Sequence, residues 1–288
     1  MYRIGLLGSD NSHADIFARL LNNTPNSPYD ACITMICGDD PQRTQAVAQG
    51  GSIPTIVQKP SDMLGQVDAV MAIHRHGGLH LPAVLPFLEA HIPVWVDKPF
   101  TLTTADACTL VDTAARHNTL LAGGSTCKYT HDIQTLRRIV QTPGQIGTLQ
   151  AATMSFSVQL DNPYGGFPFY GAHLAEMALA VFGYHPLQVY ATRNENTVTA
   201  LLQYTSYTVT LQFITGLQAY TTTLIGEKGV TTRDIDITDS YQDGFDVFYQ
   251  ALQAGKSDLR PEQIIQPVAL LEAIEHSLSS GHAIFLAP

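Results

Sequence analysis

The apolar residues of the first 125 positions form short runs, separated by stretches in which apolar residues recur three and four apart. Runs without a polar face predict strands that are buried on both sides, and the intervening stretches are typical of amphipathic helices. This alternation predicts a parallel sheet with helices on both faces. The predicted strands are Ile4–Leu7, Cys32–Cys37, Ala69–Ile73, Val94–Val96 and Leu120–Ala122.

The periodicity changes after about residue 145, where apolar residues from Ala152 to Val158 alternate with polar neighbours. Such alternation predicts strands with one exposed face, and the next candidates, Thr197–Gln203, Thr208–Phe213 and Gln218–Ile225, favour an antiparallel sheet. We therefore predict an α/β fold of two domains. Residues 1–125 form a Rossmann-like domain, and residues 126–288 form an α+β domain with a largely antiparallel sheet. Its terminal helix, Pro261–Ser279, can pack back on the first domain.

Composition narrows the class of protein. The chain has 288 residues, 45% hydrophobic and 14% charged, which is enough for two cores and excludes a disordered chain. Its formal charge of −10 disfavours a nucleic-acid partner. No apolar run approaches the ~20 residues that span a bilayer, and no leader-like segment precedes the first strand. Four scattered cysteines show no metal-binding spacing. We expect a cytoplasmic protein without a membrane partner.

The turn after the first strand reads Gly8-Ser9-Asp10-Asn11-Ser12-His13. A dinucleotide-binding fingerprint has three glycines, G-x-G-x-x-G, which allow a tight turn and a close approach to the pyrophosphate. Here only Gly8 is present, and Asp10 and His13 occupy the other two positions. Asp10 is either a helix cap or part of a modified phosphate loop. The candidate cofactor-binding residues of this turn are Gly8, Ser9, Asp10 and Asn11.

The second strand of a dinucleotide-binding domain ends in an acidic residue that holds the adenosine ribose. The strand-end position here is Gly38, and Asp39 follows it. Asp39 is the candidate ligand of the ribose. Arg43 is available for a 2′-phosphate, although such an arginine is more often a solvated helix residue. The choice between NAD and NADP therefore stays open.

Three further motifs follow in order: His74-Arg75-His76-Gly77-Gly78-Leu79-His80, Asp97-Lys98-Pro99, and a helix start at Phe169-Tyr170-Gly171-Ala172-His173. With the Gly226–Gly229 turn and the segment Glu272–Leu278, this order resembles the Gfo/Idh/MocA oxidoreductases, which include glucose–fructose oxidoreductase and inositol 2-dehydrogenase. The resemblance covers essentially the whole chain. It implies a sugar or polyol dehydrogenase with a nicotinamide cofactor.

The family's Glu-Lys-Pro motif is matched by Asp97-Lys98-Pro99 with one conservative change. The resemblance implies that Lys98 lies beside the nicotinamide and the substrate hydroxyl, and that Asp97, His74 and His80 help to form the cofactor pocket. A lysine held in a turn can donate a hydrogen bond to a substrate oxygen and exchange a proton with it. For His80, a core or capping role is the alternative.

In the family's Asp-x-x-x-His motif, His173 matches the histidine, but Phe169 replaces the aspartate. His173 is a candidate general acid or base, because imidazole titrates near neutral pH; the alternative is an ordinary hydrogen-bonded helix residue. Tyr170 is a second catalytic candidate, and Phe169 is expected to form an apolar wall of the substrate site. Lys128 stands where the family often has arginine and is a candidate substrate ligand. Glu176 is expected either to orient His173 or to be exposed.

Three functions are compatible with these residues. The first is an NAD- or NADP-dependent oxidoreductase that transfers a hydride to or from a secondary alcohol of a sugar, cyclitol or related polyol. The second is a catalytically weakened or non-enzymatic nucleotide- or sugar-binding relative. The third, a metal hydrolase built on His74, His76 and His80, is disfavoured because no matching carboxylates follow the later strands. We expect no metal, and a homodimer or homotetramer formed through the C-terminal sheet.

Overall fold

A computed structural model describes residues 1–142 and 144–286, and these residues form two compact units. The first unit contains Met1–Thr101, Ala105–Gly124 and Gly244–Arg260. The second contains Leu102–Thr104, Ser125–Asp243 and the chain from Pro261 onward. Residues 244–260 therefore join the first unit, although they lie far beyond the domain end expected at residue 125.

The first unit contains a six-stranded sheet in which every neighbouring pair is parallel, with the strand order β3-β2-β1-β4-β5-β6. This sheet confirms the predicted Rossmann-like fold. Its central strands are buried throughout because helices cover them, as their uninterrupted apolar sequence requires. The strands are β1 Tyr2–Leu7, β2 Ala31–Cys37, β3 Thr55–Ile56, β4 Ala69–Ala72, β5 Val94–Val96 and β6 Leu121–Gly123. The helices are α1 Ser12–Asn22, α2 Pro41–Gly50, α3 His80–Glu89 and α4 Thr104–Arg116.

An aromatic cluster explains why residues 244–260 belong to the first unit. The helix α7, Ser240–Ala254, carries Phe245 and Phe248, and both side chains are fully buried. The ring of Phe248 lies 5.6 Å from that of Trp95, and Phe245 lies 4.8 Å from Tyr29 in an edge-to-face arrangement. The hydroxyl of Tyr29 also donates to Asp246 at 2.6 Å. Burial of these rings removes a large apolar area from water and so stabilises the packing of α7 on the first unit.

The second unit contains a seven-stranded sheet with the order β12-β11-β7-β10-β9-β8-β13. All neighbours are antiparallel except β7 and β10, so the prediction of a largely antiparallel sheet is confirmed. The strands are β7 Leu149–Val158, β8 Gln188–Arg193, β9 Thr197–Gln203, β10 Thr208–Thr215, β11 Thr221–Gly226, β12 Gly229–Asp234 and β13 Ile284–Phe285. The remaining helices are α5 His131–Gln141, α6 Pro168–Phe182 and α8 Pro261–Ser280.

The two long helices of this unit pack on one face of its sheet. Nearly all of α6 is buried, and α8 contacts both α6 and β8. Leu270, Leu271 and Ile274 of α8 belong to the same hydrophobic cluster as the inward residues of the sheet. The terminal helix thus packs within the second unit, because its apolar stripe matches that sheet face. Among the helices of residues 1–142 and 144–286, none is long and apolar enough to cross a membrane.

Candidate functional site

The turn after β1 requires a glycine at position 8. Gly8 has a φ of +95°, and its N–H donates to the carbonyl of Cys37 at 2.8 Å. A Cβ at this position would lie 2.8 Å from the backbone nitrogen of His74. Asn11 then caps α1, because its Oδ1 accepts from the backbone N–H of His13 at 3.3 Å. The turn therefore brings the carboxyl end of β1 against the carboxyl end of β4. It also starts a helix, whose N-terminus favours an anion.

Gly38 lacks a side chain because two hydroxyl side chains occupy the space beside it. Ser9 is 1% exposed, and its Oγ lies 2.9 Å from Oγ1 of Thr44. A Cβ at Gly38 would overlap both hydroxyl groups. Packing thus explains why the expected acidic residue does not stand at the strand end. Asp39, the next residue, is exposed at the carboxyl end of β2.

Replacing Gly38 with alanine is expected to lower the free energy of unfolding by about 1–3 kcal/mol, the usual cost of forcing an extra carbon into a packed site. The measurement is urea unfolding followed by circular dichroism. Gly50→Ala is the control, because a Cβ at Gly50, the last residue of α2, meets no atom within 4 Å. Equal stabilities of the two variants would contradict the packing role.

Asp10 and Arg43 have partners that the sequence did not reveal. The helix cap is Asn11, so the alternative in which Asp10 caps α1 is wrong; its carboxylate instead accepts from the backbone N–H of Arg75, with both oxygens at 3.3 Å. Arg43 pairs with Asp15, with one N–O distance of 3.1 Å. Hydrogen bonding to Asp15 raises the pKa of Arg43, so its charge is already balanced by a carboxylate.

Asp97 and His13 form a buried carboxylate–imidazole pair in the first unit. The side chain of Asp97 is 1% exposed, and its Oδ2 lies 2.6 Å from Nδ1 of His13. Burial acts to raise the pKa of Asp97, but the nearby His13 outweighs it, so the pKa is lowered and the carboxylate stays ionised. His13, which occupies the third glycine position of the fingerprint, thus links the dinucleotide turn to the Asp97-Lys98-Pro99 turn. Lys98 itself is 2% exposed and precedes a cis proline.

His80 holds the Lys98 turn in place from inside the unit. Its ring is fully buried, with Nδ1 3.0 Å from the carbonyl oxygen of Pro99 and Nε2 3.1 Å from that of His74. Burial lowers its pKa to about 4, so the ring is neutral at pH 7. These contacts favour the core role for His80 over contact with a cofactor.

Two buried polar atoms test whether this end of the sheet fits a dinucleotide. Nδ2 of Asn11 and Nδ1 of His74 have no hydrogen-bond partner in the part of the chain that the structure describes. A buried donor without a partner is costly, and phosphate or ribose oxygens would satisfy it. Burial also lowers the pKa of His74, which favours its neutral form. The residues around Gly8 therefore fit a nucleotide.

The second unit has its own polar cluster, built around Ser125 and α6. Nδ1 of His173 lies 2.7 Å from Oγ of Ser125 and 3.5 Å from Sγ of Cys127. Oε1 of Glu176 accepts from the backbone N–H of Ser125 at 2.7 Å. Glu176 thus fixes the segment that contacts His173. Glu176 is 3% exposed, so the alternative in which it is an exposed helix charge is wrong.

Lys128 forms a buried ion pair in the same cluster. Its Nζ donates to Oε2 of Glu176 at 2.7 Å, and both side chains are 4% exposed. Burial acts to lower the pKa of Lys128, but the negative charge of Glu176 outweighs it and the pKa is raised. The lysine is therefore charged and already paired. Its role as a substrate ligand stays a prediction.

Phe169, which stands at the aspartate position of the Asp-x-x-x-His motif, packs in a cluster of aromatic rings. Phe169 is 3% exposed, with its ring 5.2 Å from Tyr164 and 4.6 Å from Tyr170. Tyr170 is half-buried beside it at the start of α6. These rings are consistent with an apolar wall, although contact with a substrate stays a prediction.

The histidines that suggested a metal site have separate tasks. His76 accepts from the backbone N–H of Gly78 at 3.2 Å, whereas His80 is enclosed by carbonyl oxygens. Among residues 1–142 and 144–286, no group of three or more histidine, cysteine or acidic side chains could hold a metal ion.

Comparison with known proteins identifies the first unit. Residues 2–125 match the model of the Gfo/Idh/MocA group, described as an oxidoreductase family with an NAD-binding Rossmann fold. Residues 2–125 therefore carry the NAD-binding Rossmann domain of this family. The match confirms the expected family, the expected nicotinamide dinucleotide cofactor and the expected class of enzyme, a dehydrogenase. No curated protein matches the sequence.

Solved structures resemble the whole chain in fold. Myo-inositol 2-dehydrogenase from Lactobacillus plantarum is 14% identical, covers 99% of both chains and has a TM-score of 0.85. Scyllo-inositol dehydrogenase from Lactobacillus casei is 16% identical over 99% of this chain and 98% of the other, with a TM-score of 0.84. The WlbA dehydrogenase from Bordetella pertussis, solved with NADH and UDP-GlcNAcA, is 18% identical over 100% of this chain and 99% of the other, with a TM-score of 0.83.

The Gfo/Idh/MocA resemblance did not identify His13, Ser125 or the Lys128–Glu176 pair. No glycine-loop pattern predicts a histidine that bonds to residue 97, and serine after a strand end is too common to be a signal. Lys98 lies in the first unit and His173 in the second. The catalytic and binding roles of individual residues stay predictions.

Proposed function

We propose that this member of the Gfo/Idh/MocA family is an NAD- or NADP-dependent dehydrogenase acting on a secondary alcohol of a sugar, cyclitol or related polyol. The observation that carries the proposal is the buried Lys98 that follows the ionised Asp97 at the carboxyl end of β5. Ligands of parallel α/β sheets bind at this end of the strands. Burying a lysine costs desolvation, and buried charged groups at such a position are frequent in functional sites.

The proposed cofactor ligands are the residues at the carboxyl ends of three strands. Asn11 and the N-terminus of α1 hold the phosphates, His74 donates from the end of β4, and Asp39 at the end of β2 bonds to a ribose. Gly8 and Ser9 shape the turn, and Asp10 fixes it to Arg75. When bound, the nicotinamide accepts or donates the hydride. The polar atoms of Asn11 and His74 that lack a partner among the described residues support this assignment.

In this proposal Lys98 exchanges the proton of the reacting hydroxyl. His173 is the second proposed catalytic residue and contacts a substrate oxygen. Oxidation of an alcohol needs such a group, because the oxygen must lose a proton as the carbon loses hydride. Phe169 and Tyr170 form the apolar part of the substrate site, and Lys128 contributes to its charge. The named substrates of the similar structures, two inositols and a UDP-linked sugar acid, support a sugar or polyol.

Calorimetric titration of the purified protein with NADH and with NADPH tests the proposal, followed by turnover assays with a panel of inositols, hexoses and UDP-sugars. Micromolar binding of one dinucleotide and turnover of at least one polyol are expected. Binding without turnover would favour a non-enzymatic nucleotide-binding relative. No binding of either dinucleotide would contradict the dehydrogenase proposal.

The second sheet also supports the proposed homodimer or homotetramer. Tyr190 of β8 pairs in register with Leu201 of β9, and each is 43% exposed. Neighbouring apolar side chains on an open sheet face are typical of a subunit interface. We expect sedimentation to show a dimer or tetramer, and Leu201→Glu to shift it towards the monomer. Gln49→Glu on α2 is the control, and a monomeric parent protein would contradict this part of the proposal.

A further inference from the structure

The hydroxyl of Ser125 has a defined set of partners. Oγ of Ser125 contacts the backbone nitrogen of Cys127 at 3.3 Å and Nδ1 of His173 at 2.7 Å, and these are its side-chain hydrogen bonds within residues 1–142 and 144–286. The backbone N–H of Cys127 can only donate, so it uses a lone pair of the serine oxygen. Ser125 is 0% exposed, so a hydroxyl hydrogen that did not point at His173 would be a buried donor without an acceptor among these contacts. Nδ1 of a neutral His173 is therefore the acceptor of this hydrogen.

We propose that Ser125 sets the tautomer of His173, keeping the proton of the neutral ring on Nε2. A neutral imidazole carries one N–H, so an acceptor at Nδ1 implies a donor at Nε2. His173 then donates a hydrogen bond to the substrate oxygen and does not take a proton from it. The substrate part of this inference rests on the proposed dehydrogenase function, whereas the tautomer is a property of the protein alone.

A second contact of Nδ1 favours the same tautomer. Sγ of Cys127 lies 3.5 Å from Nδ1, and its S–H is a second possible donor to that nitrogen. A carboxylate partner could only accept and would favour the opposite tautomer. Phe169, four residues before His173, supplies no carboxylate. The oxygens of Glu176 accept from the backbone N–H of Ser125 and from Lys128.

Glu176 acts on His173 through Ser125. Its buried carboxylate fixes the backbone of Ser125 and so restricts where the hydroxyl can lie. The ring of Phe156, 5.5 Å from that of His173, packs against the imidazole. Ser125 is therefore a positioning residue. A neutral N–H that is held in place stabilises negative charge on an oxygen without exchanging a proton. This division of roles leaves proton exchange to Lys98.

Nuclear magnetic resonance of protein labelled with ¹⁵N-histidine tests the tautomer directly. At about pH 8.5, where ordinary imidazoles are neutral, the two ring nitrogens give distinct shifts for protonated and bare positions. His173→Gln identifies the resonances of His173 by their loss. A protonated Nε2 and a bare Nδ1 support the proposal, and a protonated Nδ1 overturns it. The spectrum needs neither cofactor nor turnover, so failure of the dehydrogenase proposal would be seen separately.

Ser125→Ala and Ser125→Thr provide the second test. Alanine removes the hydroxyl donor, so the ¹⁵N chemical shift of the unprotonated Nδ1 should change. The value of kcat should fall by about tenfold, which corresponds to the loss of one hydrogen bond. Threonine keeps the hydroxyl and should restore both values towards those of the parent protein. An Nδ1 shift that is identical in the parent protein and the alanine variant would overturn the proposal.

Discussion

Replacing Lys98 by methionine is expected to lower kcat by about 10²- to 10⁴-fold, the range that a positioned acid or base contributes. The affinity for NADH should change far less. Methionine matches the unbranched stem of lysine, so the buried space around residue 98 stays filled. What is lost is the ammonium group, which the proposal assigns to the reacting hydroxyl. The neighbouring Asp97 keeps its partner His13, which preserves the turn.

Steady-state kinetics on the best substrate of the panel and calorimetry with NADH check this result together. The matched control is Lys59→Met, because Lys59 is an exposed lysine of the same unit. Its kcat should stay within about twofold of the parent value, as is usual for surface substitutions. Circular dichroism excludes unfolding as the cause of a lost rate. Full activity of Lys98→Met would contradict the proposed role of Lys98.

Strongly patterned elements of the fold could be predicted from the sequence. The buried strand Val94–Val96 and the half-exposed strand Thr197–Gln203 occur with the predicted bounds. The bounds of β12 were not predicted, because none of its side chains is buried and burial therefore leaves no trace in its sequence. The helix α2 was also missed, although Asp40 accepts from two helix N–H groups and Pro41 stands in the first turn. Those two residues are a recognisable start signal.

The site was predictable where it depends on local motifs and not where it depends on distant pairs. The Asp97-Lys98-Pro99 turn and the glycine turn could be recognised from contiguous residues. The partner of Asp97 is 84 positions away, and the partner of the Ser125 backbone is 51 positions away. Only the folded sheet brings such residues together. The substitution of His13 for a glycine therefore looked like a lost fingerprint, whereas the structure makes it the partner of a buried carboxylate.

Replacing Glu176 by glutamine is expected to destabilise the protein by about 3–5 kcal/mol, the usual cost of removing one partner of a buried ion pair. The side chains of Lys128 and Glu176 are both 4% exposed, so water cannot replace the missing charge. The change also weakens the acceptor of the Ser125 backbone N–H. Urea unfolding measures the loss.

The double variant Lys128→Met/Glu176→Gln should be less destabilised than the sum of its two single variants, because it leaves no unpaired charge in the core. The surface pair Arg193–Asp161 is the control: its side chains are 40% and 82% exposed, and breaking it should cost less than about 1 kcal/mol. Additive losses at Lys128 and Glu176 would mean that the two charges do not depend on each other. A strong coupling would instead show that Lys128 is held by Glu176, and that the cluster around His173 requires this pair to keep its shape.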